Sequence, residues 1–211
     1  MALLSGGTAT LLDCEFLAIE GSPSRFWCGP YDPNPVPVQI GAVRLSLSEP
    51  FAVEDTLRLH IAARGRRGEA LHVDPFLTRL TGIEDATVQE EGMSLSDALA
   101  RLDAFSMGGP IWSWGRDELN LATGCFVEGV SMPISSRRFG NACTLMLAAG
   151  MPYADIKRTP STRLAAYFGL PAPEGRDHDA LTDASSLAAA VRHLLSEGRM
   201  SPLSVAMADA D

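Results

Sequence analysis

Residues 8–16, Thr-Ala-Thr-Leu-Leu-Asp-Cys-Glu-Phe, have apolar flanks and no helix breaker, and read as a strand. Residues 21–37 are crowded with glycine and proline, including Asp32-Pro33-Asn34-Pro35, and read as a loop. Strand character resumes over residues 38–47, and residues 57–63 continue the same sheet. Arg64-Gly65-Arg66-Arg67-Gly68 forms a basic turn. Asp74-Pro75 suits a cap followed by proline in the first turn of a short helix ending near Gly82. A second helix, starting at Ser94 or Ser96, places Leu95, Ala98, Leu99, Leu102 and Phe105 on one face, and Gly108-Gly109-Pro110 stops it. Residues 111–114 form a short strand that opens through Gly115 into a helix over 117–126.

Farther along, a strand is expected near residues 132–135, and helices over 143–149 and 161–168. The last helix carries Leu181, Ala184, Leu187, Ala188, Val191, Leu194 and Leu195 at helical spacing until Gly198 ends it. Residues 199–211 read as a loose tail. Early strands followed by mixed strands and helices predict one α/β domain with a mixed sheet.

The 211 residues, 46% of them hydrophobic, suffice for one substantial core. No apolar run approaches the length of a membrane span, and the N-terminus lacks the pattern of a secretory signal, so a cytoplasmic protein with no membrane contact is expected. Cys14, Cys28, Cys125 and Cys143 form no Cys-x-x-Cys pair and read as core or incidental thiols. A net charge of −9 argues against a protein that coats long nucleic acid, yet it leaves room for an enzyme that grips one end.

Asp13 and Glu15, two apart on a strand, project from one face, while Leu12, Cys14 and Phe16 face the other way, towards a core. Adjacent carboxylates raise each other's pKa unless a cation lies between them, so the pair is a candidate metal seat or a solvated strand edge. His178 and Asp183 are five apart, about 140° around an ideal helix, and cannot share one helical face. They can meet if His178 sits in the entering loop, Asp179 caps the helix and Asp183 lies in its early turns. Alternatively, His178 is a surface histidine and Asp183 an acid favoured by the helix dipole. Asp117 stands at a strand-to-helix junction, where ligands of α/β domains collect and where capping residues also occur.

Taken in order, Asp-x-Glu on the first strand, Asp117 in a Trp-Gly-x-Asp junction and His-x-Ala-x-x-Asp on the last helix resemble the DEDDh exonuclease family. Gln39-Ile40-Gly41-Ala42-Val43, Leu80-Thr81-Gly82-Ile83 and Gly175-Arg176 agree with that pattern. The long insert between Glu15 and Gln39 is most similar to the Eri-like exoribonuclease branch. Phe16-Leu17-Ala18 departs from the small, Thr-rich residues that often follow the glutamate.

The resemblance implies a ribonuclease H-like mixed sheet flanked by helices, a domain over residues 1–197 and a flexible tail over 198–211. It implies 3′→5′ hydrolysis of single-stranded RNA or DNA ends, or of short oligonucleotides, to nucleoside 5′-monophosphates. Two divalent cations would be held by Asp13, Glu15, Asp117 and Asp183, with His178 as the base for the attacking water. Carboxylate ligands without cysteine favour Mg²⁺ or Mn²⁺. Phe16, Leu17, Leu80, Thr81 and Ile83 are the expected substrate contacts, with core packing the plainer role for Ile83. Arg64, Arg66, Arg67, Arg137, Arg138, Lys157 and Arg158 are candidate phosphate contacts or ordinary surface charges. The alternatives are a catalytically silent nucleic-acid-binding or protein-interaction module, and a phosphodiesterase for very short oligonucleotides.

Overall fold

Alternation along the first strand sorts its side chains between two apolar layers. In the computed structural model, which describes residues 7–207, the strands are β1 (Thr8–Phe16), β2 (Pro37–Ser46), β3 (Val53–His60), β4 (Ile111–Ser113) and β5 (Phe139–Asn141). They form one sheet in the order β3-β2-β1-β4-β5. β1 pairs antiparallel with β2, and β2 with β3, whereas β1–β4 and β4–β5 are parallel. The mixed α/β sheet expected from the sequence is therefore present.

The helices are α1 (Pro75–Thr81), α2 (Asp85–Glu91), α3 (Leu95–Phe105), α4 (Asp117–Glu128), α5 (Ala142–Ala148), α6 (Tyr153–Ile156), α7 (Leu164–Tyr167), α8 (Ala180–Ser196) and α9 (Pro202–Ala206). On one side of the sheet, Ala9 and Leu11 cluster with Leu187, Val191 and Leu194 of α8. Each of those three α8 side chains contributes roughly 1.5–3 kcal/mol by burial. On the other side, Leu12, Cys14 and Phe16 pack with Leu95, Leu99 and Leu102 of α3 and with Leu121 and Cys125 of α4. None of the described helices is long and apolar enough to cross a membrane.

Capping sets the helix starts read from the sequence. Asp74 accepts from the Phe76 N–H at 2.8 Å, and α1 ends at Gly82, whose φ of 80° favours a residue without Cβ. Ser94 caps α3 through the Asp97 N–H, and Asp179 caps α8 through the Thr182 N–H.

Three expectations change. The strand expected at residues 132–135 is replaced by β5, because Pro133 lacks an N–H and the chain turns through a 3-10 segment at Ser136–Arg138 before it reaches β4. The segment 161–168 divides into a 3-10 turn, Ser161–Arg163, and the short α7. Residues 199–207 are anchored at two points although most of their side chains are exposed: Met200 and Val205 are buried, and the Val205 carbonyl accepts from the Trp112 indole N–H at 2.9 Å. A buried indole needs an acceptor, and α9 supplies it. The rest of the expected tail, residues 208–211, lies outside the described residues.

Candidate active site

One end of the sheet collects the chemistry. β1 and β4 are parallel and β1 and β2 antiparallel, so the C-terminal ends of β1 and β4 and the start of β2 share one edge. Asp13 and Glu15 extend the face of β1 that Ala9 and Leu11 present to α8. Asp183 lies in the first turn of α8 and is only 2% exposed. Glu15, His178 and Asp183 can each direct one ligand atom so that all three lie within 4.8 Å of one another. Asp117 opens α4, where its N–H donates to the Ser113 hydroxyl at 3.3 Å. Its carboxylate reaches the Cys14 backbone N–H.

Close approach of α8 to the sheet depends on Gly41, the β2 partner of Asp13. Any Cβ at Gly41 would overlap the Ala180–Leu181 peptide. The start of α8 is then latched by Gln39: its Oε1 accepts from the Ala180 N–H at 2.9 Å, and its Nε2 donates to Asp179 Oδ2 at 3.2 Å. Arg58 of β3 binds Asp179 Oδ1 at 2.6 Å. These contacts hold the residue after His178, which itself sits at a φ of 61°, in the left-handed region that a side chain with Cβ seldom adopts. Such conformations persist where the surroundings over-determine them.

The carboxylates repel one another. Burial pushes Asp13 well above the ordinary range, and the charges of Asp117, Glu15 and Asp183 push it further, while the Ser161 hydroxyl pulls it down. Glu15 is raised by burial and then by Asp183 and Asp117. Burial, followed by neighbouring Glu118, raises Asp117 to about 7 against the opposing Cys14 N–H. Asp183 is likewise raised to about 7, by burial and then by Asp177.

Among the described residues, none of these four carboxylates is ion-paired with a basic side chain. Asp183 Oδ1 is buried without any hydrogen-bond partner. Clustered, uncompensated carboxylates with an orphaned buried oxygen fit hard divalent cations. Thiol ligation is disfavoured here, because Cys14 belongs to the opposite face of the strand.

No family model matches the chain, and no curated protein matches it. Solved structures do. The nuclease domain of 3′hExo, a DEDDh family member bound to rAMP, superposes with a TM-score of 0.73 at 17% identity, over 93% of this chain and 96% of that one. This chain shares the DEDDh exonuclease fold. A 3′-exonuclease that recognises the histone mRNA stem-loop gives 0.72 at 16% identity, over 92% of this chain and 65% of that one. E. coli Exonuclease I with a dA16 oligonucleotide gives 0.59 at 15%, over 91% of this chain but 42% of that longer one.

Within this DEDDh fold the expected substrate contacts divide. Phe16 is buried with the α3 and α4 side chains, and Leu17 and Ile83 are buried in a third cluster with Val36, Val38 and Leu77. Thr81 is a structural hydroxyl, donating to the Leu77 carbonyl at 2.8 Å and accepting from the Ile83 N–H at 3.0 Å. Only Leu80 of the five keeps partial exposure. Arg138 and Arg158 are engaged by Asp103 and Asp155.

Sequence reasoning missed Ser161, whose hydroxyl lies 3.4 Å from Asp183 Oδ2. It also passed over Gln39 and Arg58 as the supports of the α8 entry. Gln39 carried a usable signal, a polar side chain inside an apolar strand. Ser161, following a proline in a short turn, carried none.

Proposed function

We propose that this chain is a divalent-metal-dependent 3′→5′ exonuclease that releases nucleoside 5′-monophosphates from single-stranded RNA or DNA ends. The observation that carries the reading is a set of four mutually repelling carboxylates, Glu15 and Asp183 buried and Asp13 and Asp117 half-buried, with no basic partner among the described residues, gathered beside His178 at one edge of a DEDDh-type sheet. Asp13, Glu15, Asp117 and Asp183 would hold the cations, with Mg²⁺ or Mn²⁺ fitting the all-oxygen donor set. Bound there, the cations would supply charge neutralisation and Lewis-acid polarisation of a phosphodiester.

His178 serves as the proton acceptor for the attacking water, since its ring nitrogen reaches the same space as the Glu15 and Asp183 carboxylates. Gln39, Arg58 and Asp179 keep the His178 loop in place, and Ser161 orients Asp183. The 3′hExo domain was captured with rAMP, and the Exonuclease I structures with DNA, which supports a nucleic-acid end as the substrate class. The test is release of nucleoside 5′-monophosphates from single-stranded RNA and DNA in Mg²⁺ or Mn²⁺. No release from either polymer would refute the reading.

A second reading, a phosphodiesterase confined to very short oligonucleotides, draws support from the net charge of −9. Degradation of dinucleotides with longer strands left intact would favour it.

A further inference from the structure

The insert between β1 and β2, the turn after β3 and the far end of α4 enclose an open groove of about 470 Å³. Its accessible apolar walls are the half-buried Pro33 and Leu71, backed by the buried Leu17 and Val127, and its rim carries Arg66 and Arg67. Volume and lining suit one nucleotide: an apolar surface for a base and cations for phosphate.

The groove belongs to the active-site end of the sheet. β1 ends and β2 begins there, and the antiparallel pairing of Gln39 with His60 brings the end of β3 to the same edge. Leu17, in the groove wall, is two residues beyond Glu15, about 7 Å of extended chain. That is comparable to the spacing of successive phosphates in an extended strand.

Charge complementarity points the same way. Among the described residues neither Arg66 nor Arg67 has a carboxylate partner within ion-pair distance. Arg66 is held with its guanidinium 4.6 Å over the Phe126 ring, which orders the cation without neutralising it. Of the two acids in the groove, Asp32 is paired with Arg25, whereas Glu69 stays charged and lies within the field of Arg67, which leaves Arg66 as the less compensated cation. Asp32 is bound by Arg25 at 2.6 Å and also accepts from Ser22 and Gly29, and Glu69 accepts from the Arg67 backbone N–H. In a chain of net charge −9, a groove edged by unpaired arginines beside the carboxylate cluster is a local exception.

We propose that this groove binds the single-stranded nucleic acid on the 5′ side of the scissile phosphodiester, with Arg66 and Arg67 neutralising its phosphates. This rests on the exonuclease reading and adds a subsite that makes rate depend on strand length. Substrates too short to reach the groove gain nothing from the arginines; longer ones bind through them.

The test compares wild type with the R66A/R67A double variant, both residues being exposed and outside the carboxylate cluster. Substrates are single-stranded RNA and DNA of two to ten nucleotides and the p-nitrophenyl ester of thymidine 5′-monophosphate, which lacks any upstream nucleotide. The double variant should raise KM about tenfold or more on the longer strands and match wild type on the ester. Binding of a ten-nucleotide strand in Ca²⁺ should lose about 0.7–1.4 from its log–log salt slope, the loss of one or two phosphate contacts. Equal KM for both proteins at every length, or an equal loss on the ester and the long strands, would overturn the groove assignment. Wild-type protein inactive on every substrate would instead overturn the exonuclease reading on which it rests.

Discussion

Gly41 lies against the peptide joining Ala180 to Leu181 so closely that a Cβ on Gly41 would overlap that backbone. One glycine on β2 thus sets how near α8 comes to the strand that carries Asp13 and Glu15.

Gly41→Ala should therefore act on the site before it acts on the fold. Overpacking of this kind costs about 1–3 kcal/mol, and the relief available is displacement of the start of α8, which carries Asp183. The expected outcome is a folded protein with a modestly lowered Tm and divalent-cation affinity reduced by at least about tenfold. Calorimetric titration of Mn²⁺ alongside thermal melting checks it. Unchanged affinity at a lowered Tm would show that α8 moves as a unit without disturbing its ligands.

Much of this arrangement was legible in the sequence because it rests on local rules. Period-two spacing put Asp13 and Glu15 on one face, and the Asp74, Ser94 and Asp179 caps marked helix starts that the structure retains. The five-residue gap from His178 to Asp183 required a loop-plus-helix arrangement, which is what the left-handed His178 and the Asp179 cap produce. The illegible parts depend on tertiary contact. β5 pairs for only three residues, α6 has four residues and hence almost no period, and α9 exists by packing Val205 beneath Trp112. Nor could spacing reveal that Phe16, Leu17 and Ile83 would be buried among other apolar side chains.

The carboxylate cluster makes the metal-free protein sensitive to pH. Asp117 and Asp183 are each raised to about 7 from an ordinary 3.8. A group with a raised folded pKa keeps its proton where the unfolded chain has lost it, so stability falls as pH rises from about 4 to about 7. Above that window the loss is complete. At about 1.4 kcal/mol per unit, a buried group such as Asp183 accounts for a few kcal/mol. Melting in EDTA should show Tm falling from pH 5 to pH 8, and Mg²⁺ or Mn²⁺ should raise it far more at pH 8 than at pH 5. A metal-induced rise that is equal at both pH values would count against the cluster as the cation seat.

His178→Ala should lower kcat by about 10²–10⁴-fold and leave KM near its wild-type value, as for loss of a general base. Arg58→Ala, which frees Asp179 beside His178, should lower kcat by about tenfold. In the His178→Ala background the same Arg58 change should have almost no further effect, because both act through one imidazole. Additive losses in that double-mutant cycle would place Arg58 elsewhere in the mechanism.

The central claim is that the carboxylate cluster removes nucleotides singly from a free 3′ end. The most direct measurement follows 5′-labelled single strands, with either a free or a phosphorothioate-blocked 3′ end, in Mg²⁺ or Mn²⁺, using wild type and Asp183→Asn. A ladder shortening one nucleotide at a time from the free end is expected, with the blocked strand spared and Asp183→Asn slower by more than about a hundredfold. Internal cuts, digestion of the blocked strand at the rate of the free one, or near-normal turnover by Asp183→Asn would contradict the account.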